Sequence, residues 1–241
     1  MSALRSLLFN MAFFGWTAIL CIGGVPLLAA PSGWIIAAQR FWARGVIGLL
    51  RLLAGTGYTV IGRENLPDGP FVIASKHQSA WDTIIFFLLL DRPAYVLKKE
   101  LLAIPLYGWY AQRAGHIAVD RKAGAKALRT LLEDARRAIA HGMVPVIFPQ
   151  GTRTAPGTHR PYQPGIAALY KGLDVPVVPV ALNSGLFWGR RAFRKEPGTI
   201  RLEFLPAIPP GMDRPGFMAA LEGAIEQATD RLSAEGLSPE A

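Results

Sequence analysis

His77 and Asp82 stand five positions apart in the run Lys76-His77-Gln78-Ser79-Ala80-Trp81-Asp82-Thr83. Imidazole is the side chain best suited to take a proton near neutral pH, and a nearby carboxylate can hold its tautomer and face the cation that forms. The pair therefore reads as a catalytic dyad. Spacing alone is weak support, because a His-x4-Asp match arises by chance in roughly one chain in eight of this composition. Two plainer readings fit the same residues: His77 as a satisfied histidine at a strand end, and Asp82 as a first-turn helix residue favoured by the helix dipole.

Three further segments carry chemistry-bearing residues. Gly115-His116-Ile117-Ala118-Val119-Asp120-Arg121 reads as a strand that delivers an acid and a base at its end, or as an ordinary solvated turn. Phe148-Pro149-Gln150-Gly151-Thr152-Arg153 follows an apolar strand pattern. Its glycine, hydroxyl and guanidinium form a candidate phosphate cradle, and a plain turn with an exposed arginine fits equally. Val175-Pro176-Val177-Val178-Pro179-Val180-Ala181 is an apolar run with two prolines, which suggests an edge or irregular strand shaping a pocket wall, or mere packing.

These segments need a scaffold, and the 241 residues, 51% apolar, suffice for a sizeable core. From Tyr58 onward, short Val- and Ile-rich runs alternate with helical patterns. Strands are expected at 58–62, 71–74, 94–97, 116–119, 144–148, 177–182 and 199–204, and helices at 81–90, 122–141, 164–172 and 214–232. The helix after Arg121 sets Ala127, Leu128, Leu131, Leu132, Ala135 and Ile139 at helical spacing and exposes Lys122, Lys126, Arg129 and Arg136. The expected fold class is α/β, a mixed central sheet flanked by helices and preceded by an N-terminal membrane-associated two-helix segment. The expected division is 1–54 for the membrane-binding helices and 55–241 for the α/β domain, with a loose tail over the last few residues.

Charge and hydropathy narrow the partners. Lys and Arg number 26 against 17 acids, a net charge of +9, which favours an anionic partner: nucleic acid, a membrane surface or an acidic protein. No charged residue occurs from Ser6 to Gln39, and Leu7 to Val25 would extend about 28 Å as a helix, close to the thickness of a bilayer core. This segment belongs in a membrane. After Pro26, Pro31 and Gly33, a second apolar helix begins near Trp34. Its Arg40, Arg44 and Arg51 fall in one narrow stripe, which suits a helix lying at the interface. Those arginines also favour keeping the remainder of the chain on the cytoplasmic side. A signal peptide ending near Leu28-Ala29-Ala30 and a buried core helix are the rival readings. The single cysteine, Cys21, excludes a disulfide framework and a Cys-rich metal site.

Together the four segments resemble the lysophosphatidate acyltransferase family, the 1-acylglycerol-3-phosphate O-acyltransferases of phospholipid synthesis. Their order and spacing match that family, as does Lys98-Lys99-Glu100-Leu101 through Ile104-Pro105-Leu106-Tyr107-Gly108-Trp109 between them, and the likeness extends from about Tyr58 to Leu182. The resemblance implies that His77 deprotonates the acceptor hydroxyl, that Asp82 orients the imidazole, and that no acyl-enzyme forms. It places the acceptor phosphate near Gly151, Thr152 and Arg153, with Arg121 as a further cationic contact. It implies lysophosphatidate as acceptor, an acyl carrier protein or coenzyme A thioester as acyl donor, a phospholipid membrane as the setting, and no cofactor or metal. The departure is Gln150, where the family usually has Glu. If that carboxylate normally positions the arginine, Gln150 substitutes a weaker neutral hydrogen bond and modulates the acceptor site.

Other functions fit less well. A different acceptor, such as a lyso-ornithine lipid or another lysophospholipid, keeps the chemistry and has Gln150 as its only hint. A non-catalytic peripheral membrane protein would use the basic charge and the amino-terminal helices without needing His77. Serine-hydrolase and P-loop chemistries lack their Gly-x-Ser-x-Gly and Gly-x4-Gly-Lys-Ser/Thr signatures, and nucleic-acid binding leaves the apolar amino end unexplained.

Overall fold

The computed structural model of the protein describes residues 2–237, so the expected tail over Ser238 to Ala241 lies outside the described residues. Seven strands form one mixed sheet: β1 (Thr56–Ile61), β2 (Val72–Ser75), β3 (Pro93–Lys98), β4 (Ile117–Val119), β5 (Val144–Ile147), β6 (Val177–Leu182) and β7 (Gly198–Phe204). Their order is β1-β7-β6-β2-β5-β3-β4. The five strands β6, β2, β5, β3 and β4 run parallel, while β7 joins β6 antiparallel and β1 pairs parallel with β7. The expected α/β class and all seven expected strands hold.

Alternation along the strands sends side chains to two cores. Ile73, Val146, Val178, Val180 and Leu182 face one side, and Val72, Ala74, Ile147 and Val177 the other. The second side is covered by α5 (Ala125–Ala140), α6 (Pro164–Leu173) and α8 (Arg214–Gly236). Helix α5 buries Ala127, Leu131, Ala135 and Ala138 at helical spacing and exposes Lys126, Arg129 and Arg136, as its sequence pattern requires. It starts later than expected. The Asp120 carboxylate takes the Lys122 N–H in a separate turn, and Gly124, at φ +53°, breaks the chain before Ala125. Helix α4 (Tyr107–Arg113) and the single turn α7 (Ser184–Phe187) were not expected, each being too short for periodicity to register.

The first side is covered by α1 (Ser2–Gly23), α2 (Ser32–Leu49) and α3 (Asp82–Leu89). Phe9, Ala43, Val46, Ile47 and Leu50 share one core with Ile84, Ile85, Phe86 and the sheet, so α1 and α2 form a layer of the α/β sandwich. Each fully buried Phe, Val, Ile or Leu among them contributes about 1.5–3 kcal/mol. Helix α1 is two-sided: Phe9 is fully buried, whereas Leu4, Leu7, Leu8, Met11, Phe14, Ile19 and Ile22 lie exposed. The basic stripe along α2 and the π-helical turn that follows it, Leu50–Ala54, does not act as a unit. Arg40 turns inward and donates to the Phe87, Leu90 and Asp91 carbonyls, where α3 ends, leaving Arg44 and Arg51 exposed. Orphan carbonyls at a helix terminus attract a guanidinium, which outweighs the stripe geometry read from the sequence.

The proline-containing β6 is a correction. It lies in the middle of the sheet, every residue buried, and not at an edge. Val180 onward pairs with β7, and the Val177–Ile208 bridge follows, so Pro179 faces the Leu205–Ala207 stretch between the two. There its carbonyl accepts from Leu205 N, and no ladder bond to its own nitrogen is required.

Candidate active site

Strands β2, β4, β5 and β6 are parallel, so their carboxyl ends open on one edge of the sheet, the usual location for sites in such folds. The loop from β2 carries His77 and enters α3 at Asp82. Asp82 is fully buried and well satisfied: Oδ2 accepts from Gln78 N at 2.6 Å, Ser79 N at 2.8 Å and His77 Nδ1 at 2.9 Å. Ser184 Oγ donates to Oδ1 at 2.5 Å. An acceptor at Nδ1 places the ring proton there and leaves Nε2, which has no hydrogen-bond partner among the described residues, as the base. The His77 ring stacks on Phe148 with centroids 4.0 Å apart, and Phe148 stacks in turn on Tyr95. One wall beside the dyad is thus apolar and aromatic.

The loop after β5 approaches from the next strand. Gly151 sits at φ +72°, and a β-carbon there would meet Arg121 Nη1 at 3.0 Å and Gln163 Cγ at 3.2 Å, so glycine suits both conformation and space. Arg121, from the end of β4, donates to the Gly151 carbonyl at 2.7 Å. Thr154 then clasps the histidine, its N–H and hydroxyl reaching the His77 carbonyl at 2.8 and 3.2 Å. The Arg153 guanidinium has no hydrogen bond or ion pair among the described residues. Burial draws its pKa below the ordinary value; the Asp82 charge opposes that shift and the Arg190 charge adds to it. A partly desolvated cation with no protein partner is suited to an anionic ligand.

Gln150 departs from the sequence expectation. Its buried side chain makes no bond to Arg153. Its Oε1 accepts from His77 N at 3.4 Å, and its Nε2 donates to Glu226 Oε1 at 3.4 Å. Gln150 is turned instead toward Glu226 on α8.

Several site residues carried no local signal. Ser184 follows β6 and touches Asp82 only because β6 neighbours β2. Gly185 lets that turn close: a β-carbon would lie 2.9 Å from Pro156 Cγ and 3.0 Å from Gln78 Cβ. Arg190, just beyond, adds its charge beside Arg153. His116, grouped by sequence with the chemistry-bearing residues, serves the fold. Its Nδ1 accepts from Tyr95 N at 3.3 Å, its Nε2 faces Gln39, and burial lowers its pKa to about 4. Among the described residues, no cluster of three His, Cys, Asp or Glu is placed to hold a metal ion.

The chain matches the sequence model of the Acyltransferase family over residues 57–183. It is 34% identical to a 1-acyl-sn-glycerol-3-phosphate acyltransferase of Pseudomonas aeruginosa, covering 98% of this chain and 93% of that protein. It is 28% identical to the human 1-acyl-sn-glycerol-3-phosphate acyltransferase alpha, over 91% of this chain and 78% of that protein. Its fold superposes on the crystal structure of the 1-acyl-sn-glycerophosphate acyltransferase PlsC from Thermotoga maritima with a TM-score of 0.80, at 20% identity, covering 97% and 98% of the two chains. Motif, fold and full-length similarity agree, and the chain belongs to the 1-acyl-sn-glycerol-3-phosphate acyltransferase family.

Proposed function

We propose that this protein moves a fatty acyl group from an acyl thioester to the 2-hydroxyl of a 1-acylglycerol-3-phosphate, giving phosphatidic acid. The observation that carries the reading is His77 Nε2, held by Asp82 through Nδ1, near the partly desolvated Arg153, neither having a hydrogen-bond or ion-pair partner among the described residues. His77 removes the hydroxyl proton as the oxygen attacks the thioester carbonyl. The tetrahedral intermediate collapses by breaking the carbon–sulfur bond, and the imidazolium returns the proton to the departing thiolate. Asp82 holds the ring and faces the positive charge while it exists. Arg153, the Thr152 hydroxyl and the Gly151 turn bind the acceptor phosphate. Arg190 adds its charge to that of Arg153, and Arg121 braces the loop through the Gly151 carbonyl.

The setting is the cytoplasmic membrane, with the catalytic edge on its cytoplasmic side. Support comes from α1, where the most apolar 18 residues within Ala3–Gly23 have a mean hydropathy of 1.7 and are only 11% buried. Phe9 and Phe13 tie α1 to Trp188 of the domain, so its exposed apolar flank rests in one leaflet while the other flank stays on the protein. The donor is an acyl carrier protein or a coenzyme A thioester, each anionic and suited to a chain of net charge +9. Lysophosphatidate is preferred over a lyso-ornithine lipid because Gln150, the hint toward another headgroup, does not face the cradle.

Membranes carrying the protein, incubated with lysophosphatidate or a lyso-ornithine lipid and each donor, test this reading with His77→Ala as control. Transfer to lysophosphatidate that vanishes in the control is expected. Transfer to the ornithine lipid alone, or to neither, overturns it.

A further inference from the structure

Lys76, immediately before the dyad histidine, is 2% exposed, and a cation so placed needs a counter-charge. Glu226, from the middle of α8, supplies it: Oε2 lies 2.5 Å from Lys76 Nζ and 3.0 Å from His159 Nδ1. Its Oε1 accepts from Tyr162 Oη at 2.8 Å and from Gln150 Nε2 at 3.4 Å. Burial first, then the Glu226 charge, hold the Tyr162 phenol well above its ordinary pKa, so it remains a donor.

A carboxylate only accepts hydrogen bonds, so the Gln150 amide must turn its NH2 toward Glu226. That choice leaves Gln150 Oε1 facing the His77 N–H at 3.4 Å, while Thr154 holds the His77 carbonyl. We infer that Glu226 is a positioning residue for the acyl transfer, acting through Gln150 on the main chain of His77, and that the 150–226 pair tolerates one carboxylate, at either position, but not two. The inference rests on the function proposed above.

A carboxyl at position 150 has no donor to offer Glu226 unless one proton is shared between them. Lys76, His159 and Tyr162 face the pair directly. Glu222 lies near Tyr162, and Asp230 is 3.7 Å from His159 Nε2. With the shared proton bound, at lower pH, the geometry survives; as pH rises and the proton leaves, the carboxylates repel and the hold on His77 is lost. Transposing the charge restores a donor between the positions and keeps a counter-ion beside Lys76.

The test compares Gln150→Glu, Glu226→Gln and the double variant with the original full-length protein in detergent micelles. Acyl transfer to lysophosphatidate is followed from pH 6 to 9, with thermal midpoints alongside. Gln150→Glu should lose about tenfold in kcat at pH 8 with KM held, and less at pH 6, while Glu226→Gln loses about tenfold throughout. The double variant should return to within about threefold of the original with a flat pH response, a non-additivity expected of groups in contact. Multiplied losses in the double variant, pH-indifferent activity of Gln150→Glu, or shifted midpoints with unchanged kcat each overturn the inference. Should the original protein fail to acylate lysophosphatidate, the function reading falls separately. The midpoints still decide the pairing: a fall in each single variant with recovery in the double supports it, and no recovery overturns it.

Discussion

Replacing Asp82 by Asn removes a charge while keeping the hydrogen-bond frame. Oδ2 receives the Gln78 and Ser79 N–H groups as well as His77 Nδ1. An amide nitrogen in that place would face main-chain donors, so the Asn oxygen must occupy it, and Nδ2 then meets the Ser184 hydroxyl, which can reverse and accept. His77 keeps its proton on Nδ1 and its base on Nε2. What is lost is the charge facing the imidazolium. Exchanging a charge-assisted for a neutral hydrogen bond costs about 1–2 kcal/mol, or about tenfold. Unit charges about 4 Å apart at an effective dielectric near 20 interact by about 4 kcal/mol, or about a thousandfold. We therefore expect Asp82→Asn to lose about 10²-fold in kcat, against about 10⁴-fold for His77→Ala, which removes the base. Initial rates of acyl transfer in micelles, with thermal unfolding as a check on folding, read the difference. If Asp82→Asn proves as inactive as His77→Ala while still folded, the reasoning about the backbone-held oxygen is refuted.

Acid stability should report on His116. Its folded pKa, about 4, lies below the roughly 6.5 of an unfolded histidine, so the neutral ring is favoured in the fold. This contribution is complete above about pH 6.5 and declines as pH falls toward 4, by about 2 kcal/mol at pH 5. His116→Gln should flatten the stability loss between pH 7 and 5 by that amount in urea unfolding; identical slopes would count against a neutral imidazole in the fold. At the phosphate cradle, Arg190→Ala should raise the lysophosphatidate KM about three- to tenfold with kcat held, since the exposed charge acts through partly screened solvent. Arg153→Ala should raise it further, and added salt should shrink the Arg190 effect; an unchanged KM in Arg190→Ala would remove that residue from the site.

Local spacing determined much about this protein. Asp82 reaches His77 within one loop and the first turn of a helix, so their partnership is written in adjacent residues. Two-residue alternation along the strands and the amphipathic pattern of α5 marked the α/β class, because burial on one face imposes those periods on any chain. The apolar amino end was equally plain. Tertiary structure decided the rest. The order β6-β2-β5 set Ser184 against Asp82, 102 residues away, and α8 set Glu226 against Lys76, 150 residues away. No sequence period connects such pairs, since each depends on which strands become neighbours and not on the distance along the chain. Folding also turned Gln150 onto Glu226 and Arg40 onto the end of α3. In both cases a polar side chain was claimed by buried acceptors that only the assembled protein brings within reach.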